Sequence, residues 1–442
     1  MSDEQFAIKS YKDNALDVTT LPLGRYDYEG KDNGSICMLP WVHTTITMEN
    51  KLRPCCAFDL QSAVQIKEMK PGVLEDSFRW LRKKMLAGEK VNECHACHQN
   101  EKYTPKENRQ PRSMRGQANT DYRLDLQDLT EDFIHLRGME ISLDNICNLQ
   151  CKMCDSMFSS NLYRRDVHLL ELTWEKVDPP GHKGCLGSRK PMKIPKQRIE
   201  FIKALGVDWK NIEHIKILGG EPFYSPNFEK LIDHLLEEGT PEILTLEIVS
   251  NLTNIIDQRI IDKLNKFAEI LLTCSLDGIN DYNTYQRWGS PGWEKTLENY
   301  RWYHSKINNM VKHHIHMTYS LLNLNGFAGD IKWFKNNYPE YRISFAFVRS
   351  GEYSPYIAPQ HYIDWLEDQW DKDYYMDDWH DEGNLPLGLA EEKMITLSKP
   401  DPNAWQKFKT KIIELDKFYD SDLKDYNPEL ARFLKLDEDY EV

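Results

Sequence analysis

Three cysteines fall within eight residues, Cys147-Asn-Leu-Gln-Cys151-Lys-Met-Cys154, a C-x3-C-x2-C run. Packing gives no reason to place three thiols so close, whereas thiolates converging on one soft metal centre do. A [4Fe–4S] cluster held by three cysteines leaves one iron open to a small chelating molecule. Zinc is the alternative, but it calls for a fourth ligand nearby, and Asp155 is a poor partner in a thiolate site. A second group comprises Cys37, Cys55, Cys56, Cys94 and Cys97. Cys37 and Cys55 are separated by 17 residues, and Cys94 and Cys97 form C-x2-C. Four thiolates from this group can complete a second [4Fe–4S] cluster with no open iron, a site suited to electron transfer. A structural zinc held by four cysteines fits the same spacing. Neighbours on an extended chain point to opposite sides, so only one of Cys55 and Cys56 reaches that centre, and the distances along the chain favour Cys55. Cys185 and Cys274 stand alone and read as small apolar residues.

The elements that must position these residues follow a rhythm from 133 to 348. Six apolar or β-branched runs read as strands: Phe133–Leu143, His214–Leu218, Leu244–Ser250, Ile270–Leu276, His314–Leu322 and Ile343–Val348. Helical stretches such as Phe228–Glu238, Gln258–Phe267 and Gly292–Ile307 lie between them. Alternating strands and helices predict an α/β fold with a parallel sheet that curves into a partial (β/α)6 barrel. Its functional ends are the C-terminal ends of the strands. The cysteine trio follows the first strand. Leu218-Gly219-Gly220-Glu221-Pro222 ends the second, and the glycine pair suits a backbone that turns and approaches a ligand closely. Ser250 and Asn251 close the third strand, Ser275 and Asp277 the fourth, Asn323 the fifth and Arg349 the sixth. Three histidines lie on the fifth strand, with His314 and His316 on one face and His313 on the other.

Around that barrel (133–350) the chain divides into an N-terminal arm (1–36), a cysteine-bearing module (37–100), a polar linker (101–132) and an acidic, mostly helical C-terminal extension (351–442). Within 37–100, Ile36–Pro54 reads as a hairpin turning near Asn50, and Val73–Leu86 as one amphipathic helix. The linker carries Arg109, Arg112 and Arg115. Trp405–Tyr419 is helical.

The 442 residues are 40% hydrophobic and 29% charged, an ordinary soluble composition that excludes wholesale disorder. Net charge is −14, and residues 351–442, with 10 basic against 23 acidic residues, hold nearly all of it. That segment repels phosphate backbones, which argues against nucleic acid as a partner. No apolar run approaches the roughly 20 residues needed to span a bilayer. The polar start of the chain does not resemble a secretory signal. The expectation is a cytoplasmic protein with reduced cysteines available to metal.

The trio after a first strand and the Gly-Gly-Glu-Pro segment after a second resemble the radical S-adenosylmethionine (SAM) superfamily. The resemblance covers about residues 37–350. It implies a SAM-binding [4Fe–4S] cluster on Cys147, Cys151 and Cys154. SAM contacts are implied at Gly219, Gly220, Glu221, Pro222, Ser250, Asn251, Ser275, Asp277 and Arg287, with Met153 near adenine. The reaction implied is reductive cleavage of SAM to a 5′-deoxyadenosyl radical that takes hydrogen from an unactivated carbon of a peptidyl or sugar-like substrate. A flavodoxin or ferredoxin would supply the electron. The first cysteine group resembles the twitch module, the half-length relative of the SPASM domain, here placed before the barrel. It implies an auxiliary [4Fe–4S] cluster on Cys37, Cys55, Cys94 and Cys97. An electron-transfer protein with two clusters and no substrate chemistry, and a zinc-stapled interaction protein, are the alternative readings.

Overall fold

The computed structural model describes residues 36–66, 72–98, 129–174, 197–311, 313–348, 351–369 and 401–436, together with Arg115, Ala118, Asn119 and Tyr122. The arm up to residue 35, Arg109, Arg112, Cys185 and Arg349 lie outside these described residues.

Six parallel strands form the centre: β4 (Gly138–Ser142), β5 (His214–Leu218), β6 (Thr245–Ser250), β7 (Glu269–Ser275), β8 (His313–Tyr319) and β9 (Tyr341–Phe347). Neighbours in the sheet are neighbours in sequence, as right-handed βα units require. Helices fill the connections: α4 (Tyr163–Trp174) and α5 (Arg198–Lys203) before β5, then α6 (Pro226–Glu238), α7 (Gln258–Leu264), α8 (Asp281–Gln286), α9 (Trp293–Lys306) and α10 (Phe327–Asn337). The start of α6 has a local cause: Ser225 Oγ accepts the Asn227 N–H, and Pro226 takes the first turn, where its missing donor costs nothing.

Strand register sorts the side chains by face. Ile141, Ile217, Ile248 and Leu272 align across four strands and are fully buried against the helix layer. The opposite face carries Glu140, Lys216 and Glu247 in one row, with His316 and Ser344 paired farther along. The concave side of this α/β sheet is therefore polar, and its convex side is hydrocarbon.

The strand expected over Phe133–Leu143 is shorter. Before Gly138 the chain is extended, but His135 and Arg137 donate their N–H groups to the carbonyls of Trp41 and Val42 in a short helix, α1 (Leu39–Val42), which gives them no ladder partner. The helix expected over Val73–Leu86 is two helices, α2 (Val73–Ser77) and α3 (Arg79–Leu86), broken where Phe78 leaves helical backbone at φ −124° and ψ 18°.

The largest departure concerns the cysteine-bearing module. Its strands β1 (His43–Ile46), β2 (Lys51–Arg53) and β3 (Val64–Gln65) continue the barrel sheet, in the order β3-β2-β1-β4. β1 runs parallel to β4, with His43 opposite Gly138 and Ile46 opposite Ile141. The β1–β2 turn does fall at Asn50, at φ +60°, a left-handed position that asparagine tolerates. Two fully buried arginines bind the module in place. Arg198 on α5 donates to the Asn50 side chain and to the carbonyls of Ile46, Ser142 and Leu143. Arg82 on α3 donates to the carbonyls of Pro40, Glu75 and Glu131.

The stretch read as a linker is packed where it is described. Asn119 is buried, accepts the Met38 N–H and donates to the Ile36 carbonyl. Trp41 Nε1 donates to the Thr130 carbonyl. In the C-terminal extension, α11 (Gln360–Gln369), α12 (Pro402–Tyr419), α13 (Leu423–Tyr426) and α14 (Pro428–Leu434) bury Leu366, Ile412, Leu415 and Leu434. None of the described helices is long and apolar enough to cross a membrane.

Candidate functional site

The trio loop leaves β4 and is anchored on every side by backbone hydrogen bonds. Gln150 and Lys152 donate to the Trp288 and Gln286 carbonyls at 2.9 and 2.7 Å. Arg165 on α4 donates to the carbonyls of Cys151, Lys152 and Cys154, and is itself paired with Asp166. Asn161 donates to the Cys147 carbonyl at 2.6 Å. Burial pushes all three thiols up, Cys151 to about 12. The bare site therefore holds thiols, and a cationic iron centre would displace their protons as it binds.

The glycine pair after β5 serves that loop. Gly220 donates to the Asp144 carbonyl at 2.7 Å, and Glu221 to the Ile146 carbonyl at 2.8 Å. A Cβ on Gly219 would come within 2.8 Å of the Asp144 oxygen, and one on Gly220 within 2.5 Å of the Ile146 oxygen. The glycines are thus required by the backbone that leads into Cys147.

The polar residues at the other strand ends form one net around the trio. Glu221 is buried; one carboxylate oxygen accepts Ser250 Oγ at 2.7 Å and the Phe223 N–H, the other the Asn251 N–H at 2.7 Å. Pro222 follows it in a short 3-10 turn. Asn251 donates to Asn148, between Cys147 and Cys151, at 3.0 Å. Asp277 is completely buried and accepts from Gln286, Arg287 and the Thr318 N–H. Arg287 lies 2.8 Å from Asp277 in an ion pair, and the Asp277 charge keeps its guanidinium firmly protonated against burial. Asn323 donates to the Asp277 and Thr318 carbonyls. Asp277 and Asn323 therefore hold the strand ends to one another. Met153 and Ser275 are half-buried. Cys274 is an apolar core residue, as expected.

The first cysteine group meets at a separate place. Cys37, Cys55, Cys94 and Cys97 line a single cavity with Leu39, Phe58, Met85, Val91 and Arg115. Burial raises Cys37 and Cys94 to about 12. Cys56 is exposed and does not line the cavity; it feels Glu140 and Lys216 of the concave face instead. Four thiols around one cavity, with no carboxylate among its lining residues, fit a four-cysteine iron–sulfur centre. Among the described residues, no three His, Cys, Asp or Glu side chains are gathered as they would be around a single ion.

Between the two cysteine sites lies the polar face. Lys216 pairs with Glu247 at 2.6 Å, and against the effect of burial His214 and Lys216 hold Glu247 down at about 2. Ser344 Oγ bridges His314 Nε2 at 2.7 Å and His316 Nδ1 at 2.9 Å, while His314 Nδ1 meets Thr273 Oγ1. Burial lowers both histidines, His314 to about 4, so both are neutral near pH 7. His313 turns to the other side and stacks between His304 and Tyr341.

Sequence reasoning missed Lys152, Arg165, Arg198 and Asp416. Each acts through partners that are remote along the chain or are backbone carbonyls, and neither leaves a local pattern.

Residues 141–321 match the Radical SAM superfamily, a segment covering less than half of the chain. No curated protein matches. Among solved structures, anSMEcpe with bound AdoMet is 15% identical, with a TM-score of 0.32, covering 54% of this chain and 61% of that one. SuiB of Streptococcus suis, bound to the precursor peptide SuiA, is 13% identical, with a TM-score of 0.34, covering 67% and 58%. TYW1 with a lysine-pyruvate adduct is 18% identical, with a TM-score of 0.26, covering 52% and 72%. The chain thus spans about three-fifths of the length of the first two. The matched segment runs from β4 into the loop after β8 and contains the trio, the glycine pair and Asp277. The match thus falls on the parallel strands and on the motifs at their C-terminal ends.

Proposed function

We propose that the chain binds a [4Fe–4S] cluster on Cys147, Cys151 and Cys154, binds SAM at its open iron, and abstracts hydrogen from a polar substrate held against the concave face. The observation that carries this reading is the trio loop itself. It stands at the C-terminal end of β4, is buttressed by Gly219 and Gly220 of the next strand, and lies within the matched segment. When bound, cluster and SAM supply a 5′-deoxyadenosyl radical.

The chain's own residues orient and shield. The backbone at Gly219 to Pro222 faces the SAM amino group, Ser250, Asn251 and Ser275 supply polar contacts, and Met153 packs near adenine. Arg287 is the cation for the SAM carboxylate, held in place by Asp277. The polar row of Glu140, Lys216 and Glu247, with His316 above it, favours a substrate rich in hydroxyl or amide groups, peptidyl or sugar-like. A neutral His316, whose Nε2 has no hydrogen-bond partner among the described residues, is placed to accept a proton as such a substrate is oxidised. Cys37, Cys55, Cys94 and Cys97 hold an auxiliary [4Fe–4S] cluster that takes the substrate's electron, and a flavodoxin- or ferredoxin-type protein reduces the trio cluster.

The test is anaerobic reconstitution followed by reduction with SAM present. The reduced chain is expected to release 5′-deoxyadenosine and methionine, slowly and without substrate. The Cys147/Cys151/Cys154→Ala variant should release none. Wild type with a spectroscopically intact trio cluster that never cleaves SAM would overturn the reading.

A further inference from the structure

Lys152 lies inside the cysteine run, between Cys151 and Cys154, and its side chain is fully buried. Its ammonium does not reach into the barrel. It donates to Asp416 at 3.1 Å and to Ser421 at 2.8 Å, and sits 3.3 Å from the centre of the Tyr285 ring, with Trp288 and Tyr419 also around it. Asp416 is on α12, 264 residues away along the chain and outside the matched segment.

Asp416 in turn gathers three elements. It accepts from Lys152 of the cysteine loop, from the Tyr285 hydroxyl on α8 at 2.8 Å, and from Ser421 and the Leu423 N–H of its own chain reversal. That reversal is made by Asp420 in left-handed backbone at φ +51°, which folds 421–423 back onto the carboxylate. Tyr419 adds a hydroxyl contact to the Gln150 carbonyl, and its ring packs on Trp288.

A buried carboxylate and ammonium, each 2% exposed or less, are costly to desolvate and are a weak source of stability in themselves. Their better-attested use is to specify one arrangement among several. Here the arrangement specified is the seat of the second and third cysteines, because Lys152 directly follows Cys151 and only Met153 separates it from Cys154.

We infer that the C-terminal extension is a positioning element for the cysteine loop, in which Asp416 holds Lys152 and so sets where Cys151 and Cys154 stand relative to Cys147. Asp416 and Lys152 are positioning residues; neither is placed to touch SAM or substrate. The inference rests on the proposed cluster at the trio for its functional consequence, while the mechanical coupling stands without it.

The experiment is a double-mutant cycle on the full chain, loaded anaerobically with iron and sulfide: Lys152→Met, Asp416→Leu and the pair together. Hydrogen exchange over 148–155 is read against β5 and β6, and the trio cluster is read by electron paramagnetic resonance with and without SAM. Each single variant is expected to speed exchange in 148–155 at least about tenfold and to alter or abolish the trio signal, with β5 and β6 unchanged. The double variant, which leaves no lone buried charge, should exchange more slowly than either single one, the coupling that direct partners show. Additive effects on exchange, or a trio signal and loop exchange unchanged in both single variants, would overturn the inference. If a single variant fails to fold, Lys152→Arg, which keeps the charge but changes the fit in the aromatic cage, is expected to fold and shift the trio signal; an unchanged signal there would likewise count against it. A wild-type chain with no trio signal sinks the cluster reading alone, since the exchange arm still reports on the coupling.

Discussion

The two cysteine sites are built in opposite ways. The quartet sits in a mostly apolar cavity, walled by Leu39, Phe58, Met85 and Val91, with Arg115 as the cation among its lining residues. The trio sits in a polar net in which Glu221, Asn148, Asn251, Asp277 and Arg287 are all hydrogen-bonded or ion-paired. Four thiols among mostly hydrocarbon walls, with Arg115 and His98 beside them, can fill every iron position of one cluster. Three thiols leave one iron open, and the fixed dipoles and charges around them can orient what binds there. The contrast supports storage of charge at the first and chemistry at the second.

The largest effect should come from removing the trio. Cys147/Cys151/Cys154→Ala is expected to drop the iron content from about eight to about four per chain and to abolish SAM cleavage, while the quartet's paramagnetic signal persists. One zinc per chain with only half the iron would instead assign the quartet to zinc and end the comparison in its present form.

Within the quartet, Cys55→Ala should lose the auxiliary signal in the trio-deleted background, and Cys56→Ala should keep it, because only Cys55 faces the cavity. The reverse result would exchange their roles.

At the trio, Gly220→Ala forces a methyl group to within 2.5 Å of the Ile146 carbonyl oxygen. A cost of about 1–3 kcal/mol is expected for such overpacking, seen as a lower thermal midpoint and reduced iron at the trio, with the quartet signal retained. Arg287→Ala should weaken SAM binding, and it also leaves Asp277 buried without its cation, at a cost of about 3–5 kcal/mol. Unchanged SAM affinity in a chain of reduced stability would make Arg287 purely structural.

The smallest effect concerns pH. Burial lowers His43, His304 and His314 to about 4 from an ordinary 6.5. As pH falls from about 6.5 towards 4 the unfolded chain takes up protons that the folded chain refuses, so stability declines across that window. His43→Gln should flatten the decline in denaturant titrations at successive pH values.

Much of the barrel was legible because parallel strands advertise themselves as apolar runs with helices between them, and each of the six runs contains most or all of one strand. Ile270–Leu276 against Glu269–Ser275 is typical. The cysteines were legible because metal ligands cluster along the chain. The module's attachment was not: β1 is a four-residue strand, HTTI, too short to show a period, and its parallel partner lies more than ninety residues on. The glycines after β5 were legible for their conformational freedom, but their packing on the Asp144 and Ile146 backbone was not, since sequence shows that a backbone must come close but not what it approaches. Lys152 and Arg198 look like surface residues in any composition-based reading, and only tertiary partners make them interior.

The parallel pairing of β1 with β4 has a directional consequence. His43 and Gly138 start their strands at the same level, and the His43 ring bonds the Pro54 carbonyl, next to Cys55, at that level. The trio lies beyond the far end of β4. Five residues of strand at about 3.3 Å each put roughly 16 Å of sheet between the two levels. In the proposed reaction a substrate on the polar face would thus give up its hydrogen towards one end of the strands and its electron towards the other. The two departures would not compete for the same space, and the path length of the second would be set by the length of a single strand.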